Sequence, residues 1–314
     1  MSSTSVSSPA ESFEPYRQHL RGLAYRMLGS MSDAEDAVQE TYLRWHRADR
    51  SSVSDAKGFL ITTATRISLD MLTSARARRE KYVGQWLPEP VVDTAALAPD
   101  SRTELAEDLS IALLLILDQL SPLERAAFLL HDVFDLSFGE VASALSRSED
   151  ACRQLASRAR AHVRAARPRG ATPPPARPGE IDEKHAQLMS AFTAATQSGN
   201  LNALTHLLAS DVRIVTDGGG KVRAAPDVIE GAERGARFLI EATRKRQGAW
   251  WREEFTTRFA TVNGLPGIIV DGPIGPVQTA AFEIEDDVIR ALYVVRNPDK
   301  LRHLVQARNE SGPK

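Results

Sequence analysis

The chain has 314 residues, of which 42% are hydrophobic and 25% are charged, a composition typical of a folded protein with two or three domains. The formal net charge of −2 excludes a uniformly basic nucleic-acid-binding protein, so any DNA contact must come from local basic clusters. The single cysteine, Cys152, excludes an internal disulfide framework and a multi-cysteine metal site, and it favours a reducing cytoplasmic location.

Neither end of the chain predicts a folded element. Residues 1–12 are rich in Ser and Thr and lack the basic-then-apolar pattern of a secretion signal, so we expect a tail there and another over residues 307–314. The longest apolar run, residues 111–117, is too short to span a bilayer. We therefore expect no membrane attachment.

Helical periodicity begins at residue 13. Residues 13–28 carry apolar side chains on one helical face and are followed by a glycine that is expected to end the helix. Ser32 and Glu35 predict a capping box at the start of the next helix. A third helix is predicted over residues 56–81, so residues 13–84 are expected to form an all-α domain.

Aromatic residues flank the polar loop before the third helix. Tyr42, Trp45 and Phe59 lie on either side of it, and the helix itself ends in a basic cluster. Aromatic rings beside a basic helix can stack on unpaired bases. Packing in the core is the alternative interpretation, above all for Trp45.

A proline-interrupted linker over residues 85–104 precedes a second helical domain, predicted over residues 105–167. An apolar helix is expected over residues 105–120. Capping boxes are predicted at residues 121–124 and 137–140, where Ser is followed by Glu three positions later.

The segment "SFGEVASALSRSEDACRQLASRARAHVR" predicts two helices joined by a tight turn. A buried stripe of Ala151, Leu155 and Ala159 turns a polar face outward, and Arg and Gln on such a face can hydrogen-bond base edges. An ordinary helical hairpin with a solvated basic face is the alternative. Cys152 is interpreted as a small buried side chain, with a redox-sensitive thiol as the alternative. The predicted DNA-reading residues are Ser148, Arg153, Gln154, Ser157 and Arg158.

Residues 168–179 form a proline-rich tether, after which the pattern changes. Helices are predicted near residues 181–198, 200–208 and 232–245, followed by β-rich runs separated by turn signals. Residues 180–306 are therefore expected to form an α+β domain with a curved antiparallel sheet.

Two motifs in the first half resemble a known family. "DAEDAVQETYLRW" followed by "KGFLITTATRISLDMLTSARARRE" resembles the second conserved region of extracytoplasmic-function sigma factors, and "LSPLERAAFLLHDVFDLSFGEVASAL" with the following helix resembles their fourth region. The resemblance spans residues 13–167. It implies a factor that directs core RNA polymerase to specific promoters, with the helix-turn-helix entering the major groove of the promoter element farther from the start site.

The same resemblance implies site residues and partners in the first half. Core RNA polymerase is the implied partner, through its beta-prime clamp helices and its beta flap. Docking on the clamp helices is implied for Asp36, Gln39, Glu40 and Arg44. Binding of the promoter element nearer the start site is implied for Asp49, Lys57, Arg66, Asp70, Ser74 and Arg76.

The second half resembles the SnoaL-like family of α+β cone folds. One subgroup of these sigma factors carries such an extension, marked by "WLPEP" (86–90), "DGGGK" (217–221) and "NPDKL" (297–301), and all three motifs are present. In that subgroup the extension is implied to contact the sigma regions in cis and to regulate polymerase binding. The implied contact residues are Trp86, Pro88, Asp217, Gly218, Lys221, Asn297, Asp299 and Lys300.

Each motif also has a local interpretation. "WLPEP" is either a spacer whose Trp86 covers an apolar patch or a segment that docks on the C-terminal domain. "DGGGK" predicts a turn, with an anion-binding nest as the alternative. Asn297 is expected to cap a terminal helix that runs through Leu304.

A cone domain can also be an enzyme or bind a ligand. The residues with suitable acid–base chemistry are His185, His206, Asp211, Asp217, Asp271 and Tyr293. None lies in a catalytic motif, so we expect no enzyme, no cofactor and no metal, with an unidentified small-molecule ligand left open. The alternatives to a sigma factor are a DNA-binding regulator fused to a cyclase-like or isomerase-like enzyme, and a repressor that acts without polymerase.

Overall fold

The computed structural model describes residues 8–92, 97, 110–166, 181, 183–250 and 255–310. The described residues divide into two compact units. The first contains residues 8–78, 97 and 112–166, and the second contains residues 79–92, 110–111, 181, 183–250 and 255–310.

The first unit is built from α-helices. Their bounds are α1 Pro9–Phe13, α2 Arg17–Leu28, α3 Met31–Arg47, α4 Ala56–Glu80, α5 Ile111–Gln119, α6 Pro122–Phe128, α7 Phe138–Leu145 and α8 Glu149–Ala166. Short 3-10 segments occupy Glu14–Tyr16 and Arg50–Ser52, and a π-helical turn occupies Leu129–Val133. No described helix of either unit is long and apolar enough to cross a membrane.

Two helix starts differ from the sequence prediction. The second long helix is capped by Ser30, whose side chain accepts from the Asp33 backbone N–H, so the predicted Ser32–Glu35 capping box is wrong. Glu35 instead forms an ion pair with Arg21 of α2 at 3.0 Å. Within the predicted tail, Ser8 and a helical glutamate form a capping box that starts α1, so residues 9–12 are helical rather than unstructured.

The other two predicted capping boxes are confirmed. Ser121 caps α6 with Glu124, and Ser137 caps α7 with Glu140. In each box the serine side chain accepts from the glutamate backbone N–H while the glutamate carboxylate accepts from the serine backbone N–H. These reciprocal bonds fix where the two helices begin.

Buried arginines hold the helices of the first unit together. Arg125, which is 4% exposed, donates to the Met27 carbonyl at 2.6 Å and to Asp118 at 2.9 Å. Arg26, which is 1% exposed, donates to the Leu97 carbonyl at 2.9 Å. A buried guanidinium needs acceptors for its donors, so the Arg125–Met27 bond helps to specify how α2 packs against α6, and the other two bonds add α5 and Leu97 to this arrangement.

The second unit combines helices with one six-stranded sheet in the order β2-β1-β6-β5-β4-β3. Its helices are α9 Glu183–Ser198, α10 Leu201–Leu207, α11 Ala232–Trp250 and α12 Pro298–Glu310. Its strands are β1 Leu208–Asp217, β2 Ile229–Glu230, β3 Thr256–Val262, β4 Leu265–Gly272, β5 Gly275–Glu285 and β6 Val288–Val295. The all-α first unit and the α+β second unit confirm the predicted fold class.

The sheet is mixed, whereas the sequence predicted an antiparallel one. Strands β1 and β6 pair in parallel, and the other neighbours are antiparallel. Strand β6, the last strand in the chain, lies beside β1, the first one, and runs in the same direction. Parallel neighbours need a long connection, and here it includes helix α11 and strands β2–β5. This arrangement places the end of β1 beside the start of α12.

An apolar core fills the space between the sheet and helices α9–α11. Phe282 of β5 is fully buried there, and its ring meets Phe192 of α9 edge-on with centroids 5.0 Å apart. Leu301 and Leu304 of α12 are buried outside that cluster, and α12 contacts β5. The sheet is therefore covered by more than the three helices of this core.

We expect Phe282→Ala to lower the free energy of unfolding of the second unit by about 3–5 kcal/mol, because it removes a fully buried ring and leaves a cavity. Urea unfolding followed by circular dichroism measures this. Phe259→Ala is the control, since Phe259 is 44% exposed and should change stability by less than about 1 kcal/mol. Equal effects of the two substitutions would contradict the assigned core.

Candidate functional site

A helix-turn-helix lies at the end of the first unit. Helix α7 ends at Ser146 in the left-handed conformation with φ of 53°, and the Ser148 hydroxyl accepts from the Ala151 N–H at 3.3 Å to begin α8. The side chains of α8 that are buried are Cys152, Leu155, Ala156, Ala159 and Val163. The predicted reading residues, by contrast, are all exposed: Ser148, Arg153, Gln154, Ser157 and Arg158.

The two reading arginines are held in different ways. Arg153 donates from one terminal nitrogen to Glu149 at 2.7 Å and from the other to Asp150 at 3.3 Å, both on its own helix. Arg158 donates from Nε to Glu124 of α6 at 2.9 Å. The two cationic side chains of this predicted DNA-reading face are therefore paired with carboxylates of the same unit.

Cys152 lies within the core of the helix-turn-helix. Its side chain is fully buried, and burial raises the pKa of its thiol. A protonated, inaccessible thiol is a poor nucleophile. These properties favour the buried-side-chain interpretation over the redox one.

Arg66 of α4 contacts the helix-turn-helix directly. Its guanidinium donates to the carbonyls of Ser143 and Ala144 at 2.9 and 3.0 Å and to the Ser146 hydroxyl at 3.1 Å. These acceptors lie at the C-terminal end of α7, where a cation is favourable. A residue implied to line the nearer promoter element is thus committed to the other DNA-reading segment in this arrangement.

The other predicted residues of α3 and α4 are mostly at the surface. Of the polymerase-binding set, Asp36, Gln39 and Arg44 are exposed, and Glu40 is half-exposed and paired with Arg44 at 2.9 Å. Of the near-element set, those exposed are Asp49, Lys57, Arg66, Asp70 and Ser74. The Arg76 side chain lies outside the described residues.

Two of the aromatic residues beside the loop, Trp45 and Phe59, pack against each other. Trp45 is 3% exposed, donates from its indole nitrogen to Ser12 at 3.1 Å, and packs against Phe59 with ring centroids 5.5 Å apart. The core-packing interpretation of Trp45 is therefore confirmed.

The motifs "WLPEP", "DGGGK" and "NPDKL" meet at one buried ion pair in the second unit. Asp217 at the end of β1 and Lys300 in α12 are 2.7 Å apart, with 0% and 6% of each residue exposed. The same Asp217 oxygen accepts from the Leu87 N–H at 2.9 Å, and the Lys300 ammonium donates to the Leu87 carbonyl. We call Asp217, Lys300 and the Leu87 peptide groups the linker clamp.

The second oxygen of Asp217 extends the clamp. It accepts from the Tyr82 hydroxyl at 2.6 Å and from the Gly219 N–H at 3.0 Å, and the Asn297 amide donates to the Tyr82 oxygen at 2.7 Å. Burial, with the Asp217 carboxylate beside it, raises the pKa of Tyr82 and keeps the phenol protonated. The buried carboxylate is thus fully hydrogen-bonded, as a buried charge requires.

Trp86 lies between two cations. The Lys300 ammonium is 4.4 Å from its ring centroid and the Arg79 guanidinium is 3.8 Å from it. These distances are typical of cation–π contacts. Trp86 therefore does more than cover an apolar patch, and the segment docks on the C-terminal domain together with buried Pro88.

The rest of the described linker follows the edge of the same unit. The Val91 N–H donates to the Asn263 side chain at 3.2 Å, and the Asn263 N–H donates back to the Val91 carbonyl at 2.7 Å. The His303 ring nitrogen Nε2 lies 2.7 Å from the Pro90 carbonyl. Residues 82–91 are consequently fixed at several successive points.

The glycine motif is a turn that bonds within itself. The N–H groups of Lys221 and Val222 donate to the Gly218 carbonyl at 3.0 and 3.2 Å, which favours the turn over an anion-binding nest. A Cβ on Gly219, where φ is 58°, would lie 2.2 Å from the Asn297 amide nitrogen. Position 219 therefore requires glycine, because a side chain there would clash with Asn297 and the backbone is in the left-handed region. Lys221 is exposed and pairs with Asp299.

Four residues that hold the linker, in the clamp or beside it, were not predicted from the sequence. Tyr82 offered no signal beyond its proximity to "WLPEP", and Leu87, although it lies within that motif, binds through its backbone. Asn263 stands in an Asn-Gly dipeptide, which predicts the β3–β4 turn but not a side chain that caps another segment. His303 lies beyond the last motif residue.

The acid–base candidates of the second unit are dispersed. Ion pairs join Asp211 to Arg290 at 3.0 Å and Asp271 to Arg258 at 2.9 Å, and Tyr293 donates to Glu283 at 3.1 Å. Asp217 belongs to the clamp, while His206 is exposed and His185 is half-buried on α9. Asp211, Asp271 and Tyr293 thus each contact a different partner.

Comparison with known proteins identifies the chain's relatives. The model of sigma-70 region 2 matches residues 13–78, and that of sigma-70 region 4 matches residues 110–163. The ECF RNA polymerase sigma factor SigJ of Mycobacterium tuberculosis is 37% identical over 297 residues, which cover 92% of this chain and 91% of SigJ. The probable ECF RNA polymerase sigma factor SigI of the same species is 29% identical over 290 residues, which cover 91% of this chain and 92% of SigI.

A solved structure extends this similarity to the whole fold. The crystal structure of Mycobacterium tuberculosis SigJ matches with a TM-score of 0.68 and 33% identity, covering 93% of this chain and 97% of that one. The match therefore includes the C-terminal α+β unit as well as both helical segments. The chain belongs to the extracytoplasmic-function sigma factors of RNA polymerase that carry a C-terminal α+β domain.

Proposed function

We propose that this chain directs core RNA polymerase to specific promoters and that its SnoaL-like second unit regulates this in cis. The observation that carries the proposal is the exposed Arg153–Gln154–Arg158 face of α8, in a chain whose two helical segments match sigma regions 2 and 4. The exposed α3 face supports contact with the beta-prime clamp helices, and the beta flap is proposed as a second polymerase contact.

The hydrogen bonds of Arg66 to the helix-turn-helix support a change in the arrangement of the helical segments on promoter binding. It cannot line the nearer promoter element while it donates to Ser143, Ala144 and Ser146. DNA phosphates are competing acceptors for the same guanidinium. We therefore propose that the two DNA-reading segments separate when the promoter is bound.

The linker clamp supports regulation in cis. Residues 81–110 connect α4 to α5, and the clamp holds Leu87 and its neighbours against the second unit. Only residues after the clamped stretch then remain to span the distance between the separated segments. Release of the clamp lengthens the usable linker and favours separation.

Run-off transcription with purified core polymerase and a pool of promoters tests the proposal. We expect initiation with the full chain, and a different output from a chain that ends at residue 169. Arg153→Ala with Arg158→Ala should weaken recognition of the farther element by about 1–3 kcal/mol per lost base contact. If the full chain and every C-terminal truncation fail to initiate, the chain does not work as a promoter-specificity factor.

Asp217→Asn is expected to release the linker, because it leaves Lys300 buried without its counter-charge at a cost of about 3–5 kcal/mol. Urea unfolding of the second unit and proteolysis within residues 79–92 measure the release, and run-off output should rise. Asp299→Asn is the matched control, since its partner Lys221 is exposed and such pairs contribute about 0–1 kcal/mol. A protected linker in Asp217→Asn would contradict the clamp.

The clamp also predicts a dependence of stability on pH. Burial lowers the pKa of Lys300 from 10.5 to about 8, while Asp217 opposes the shift. From about pH 8 to pH 10 the unfolded chain keeps a proton that the folded chain releases, so the free energy of unfolding should rise, by at most about 1.4 kcal/mol per pH unit. The raised pKa of Tyr82 gives the opposite slope at higher pH. Lys300→Met should abolish the rise, and a flat profile in the unaltered chain would refute the prediction.

A further inference from the structure

The capping boxes that start α6 and α7 differ in one respect. In both, one carboxylate oxygen, Oε2, accepts from the serine backbone and hydroxyl: Glu124 from Ser121 at 3.2 and 2.6 Å, Glu140 from Ser137 at 2.8 and 2.6 Å. In the described part of the chain Glu140 pairs with Ser137 alone. Glu124 uses its other oxygen, Oε1, to accept from Arg158.

The bond to Glu124 fixes how Arg158 presents its guanidinium. The side chain of Glu124 is 13% exposed and that of Arg158 is 60% exposed, so a largely immobile carboxylate anchors an exposed cation. The bond is made through Nε, on the inner edge of the guanidinium. Among the described residues, the two terminal nitrogens of Arg158 have no acceptor. The two donors that form a fork are thus turned away from the anchor.

Arg153 shows the opposite arrangement on the same helix. Both of its terminal nitrogens are already bonded, to Glu149 and Asp150, and its guanidinium lies 5.2 Å from the ring centroid of Phe138. It must break two ion pairs before it can donate to DNA. Arg158 needs no such exchange, because the bond to Glu124 leaves its fork open.

We propose that Glu124 is a positioning residue for promoter recognition, which orients Arg158 for a two-hydrogen-bond contact with a guanine edge in the farther promoter element. The inference rests on the proposed function, since it assumes that α8 enters the major groove. A guanine presents two acceptors that match the arginine fork, and an arginine whose orientation is fixed beforehand loses less entropy on contact. Glu124 itself does not touch DNA.

Glu124→Gln separates positioning from capping. Glutamine serves in a capping box as glutamate does, so the start of α6 is retained. Glutamine has only one oxygen, and with that oxygen turned to Ser121 its amide group faces the Arg158 Nε–H, where it cannot accept a hydrogen bond. Glu140→Gln is the matched control, because it makes the same change in a box that holds no arginine.

The experiment measures binding of polymerase holoenzyme, reconstituted with the full chain, to a library randomised in the farther element. For Glu124→Gln we expect preference for one guanine to fall at least about fivefold, as for Arg158→Ala. Binding to unrelated DNA should not fall and should keep its salt dependence, because the Arg158 charge remains. Glu140→Gln should match the unaltered chain, and in an Arg158→Ala background Glu124→Gln should have no further effect.

The outcomes distinguish this inference from the proposed function. If the unaltered chain selects no promoter, the proposed function fails. If it does select, and Glu124→Gln keeps the guanine preference, Glu124 has no positioning role. Equal losses in Glu124→Gln and Glu140→Gln, or an added loss in the Arg158→Ala background, would show that Glu124 acts through stability of the helix-turn-helix instead.

Discussion

The buried Asp217–Lys300 pair around the Leu87 peptide is the interaction on which the arrangement of the second unit and its linker depends. Two charges in a dry interior are costly unless both are fully hydrogen-bonded, and here the carboxylate has four donors. Because those donors come from the linker, the glycine turn and α12, the pair is satisfied only when all three segments are in place. A hydrophobic contact of equal area would tolerate a shifted linker, whereas this one specifies a single register.

A second constraint acts on the cations of the helical unit. Arg153 and Arg158 have carboxylate partners, and Arg66 is bonded to carbonyls at a helix end. On the proposed function, DNA would have to replace the existing acceptors of Arg153 and Arg66, so their contacts would gain less than those of a free arginine, whereas the terminal nitrogens of Arg158 need no such exchange. This exchange agrees with the formal net charge of −2, which provides no general attraction to DNA.

The sequence predicted features that are encoded locally. The capping boxes at Ser121 and Ser137 and the helix-turn-helix are specified by spacings within one or two turns, and they form as expected. The sequence motifs also contain Asp217 and Lys300, the two charged residues of the clamp. The parallel β1–β6 pair was missed because its strands are far apart in the sequence, and strand pairing at that distance has no local signal. Leu87 was missed because it acts through backbone groups that every residue carries. The capping box was wrongly placed at Ser32 because Glu35 three positions later completes the pattern, whereas in the fold Glu35 pairs with Arg21, a contact that depends on tertiary packing.

These constraints meet in the linker between the two DNA-reading segments. On the proposed function, each segment supplies only part of the promoter contact, so promoter binding is strongest when both segments bind at once. The gain from joint binding depends on the effective concentration of one segment at the site of the other, which falls to near zero when the linker cannot span the sites. A clamp that claims part of residues 81–110 changes this quantity without touching DNA. On the proposed function, the second unit would control promoter affinity through the usable length of the linker, while Arg158 and its neighbours would determine which promoter is chosen.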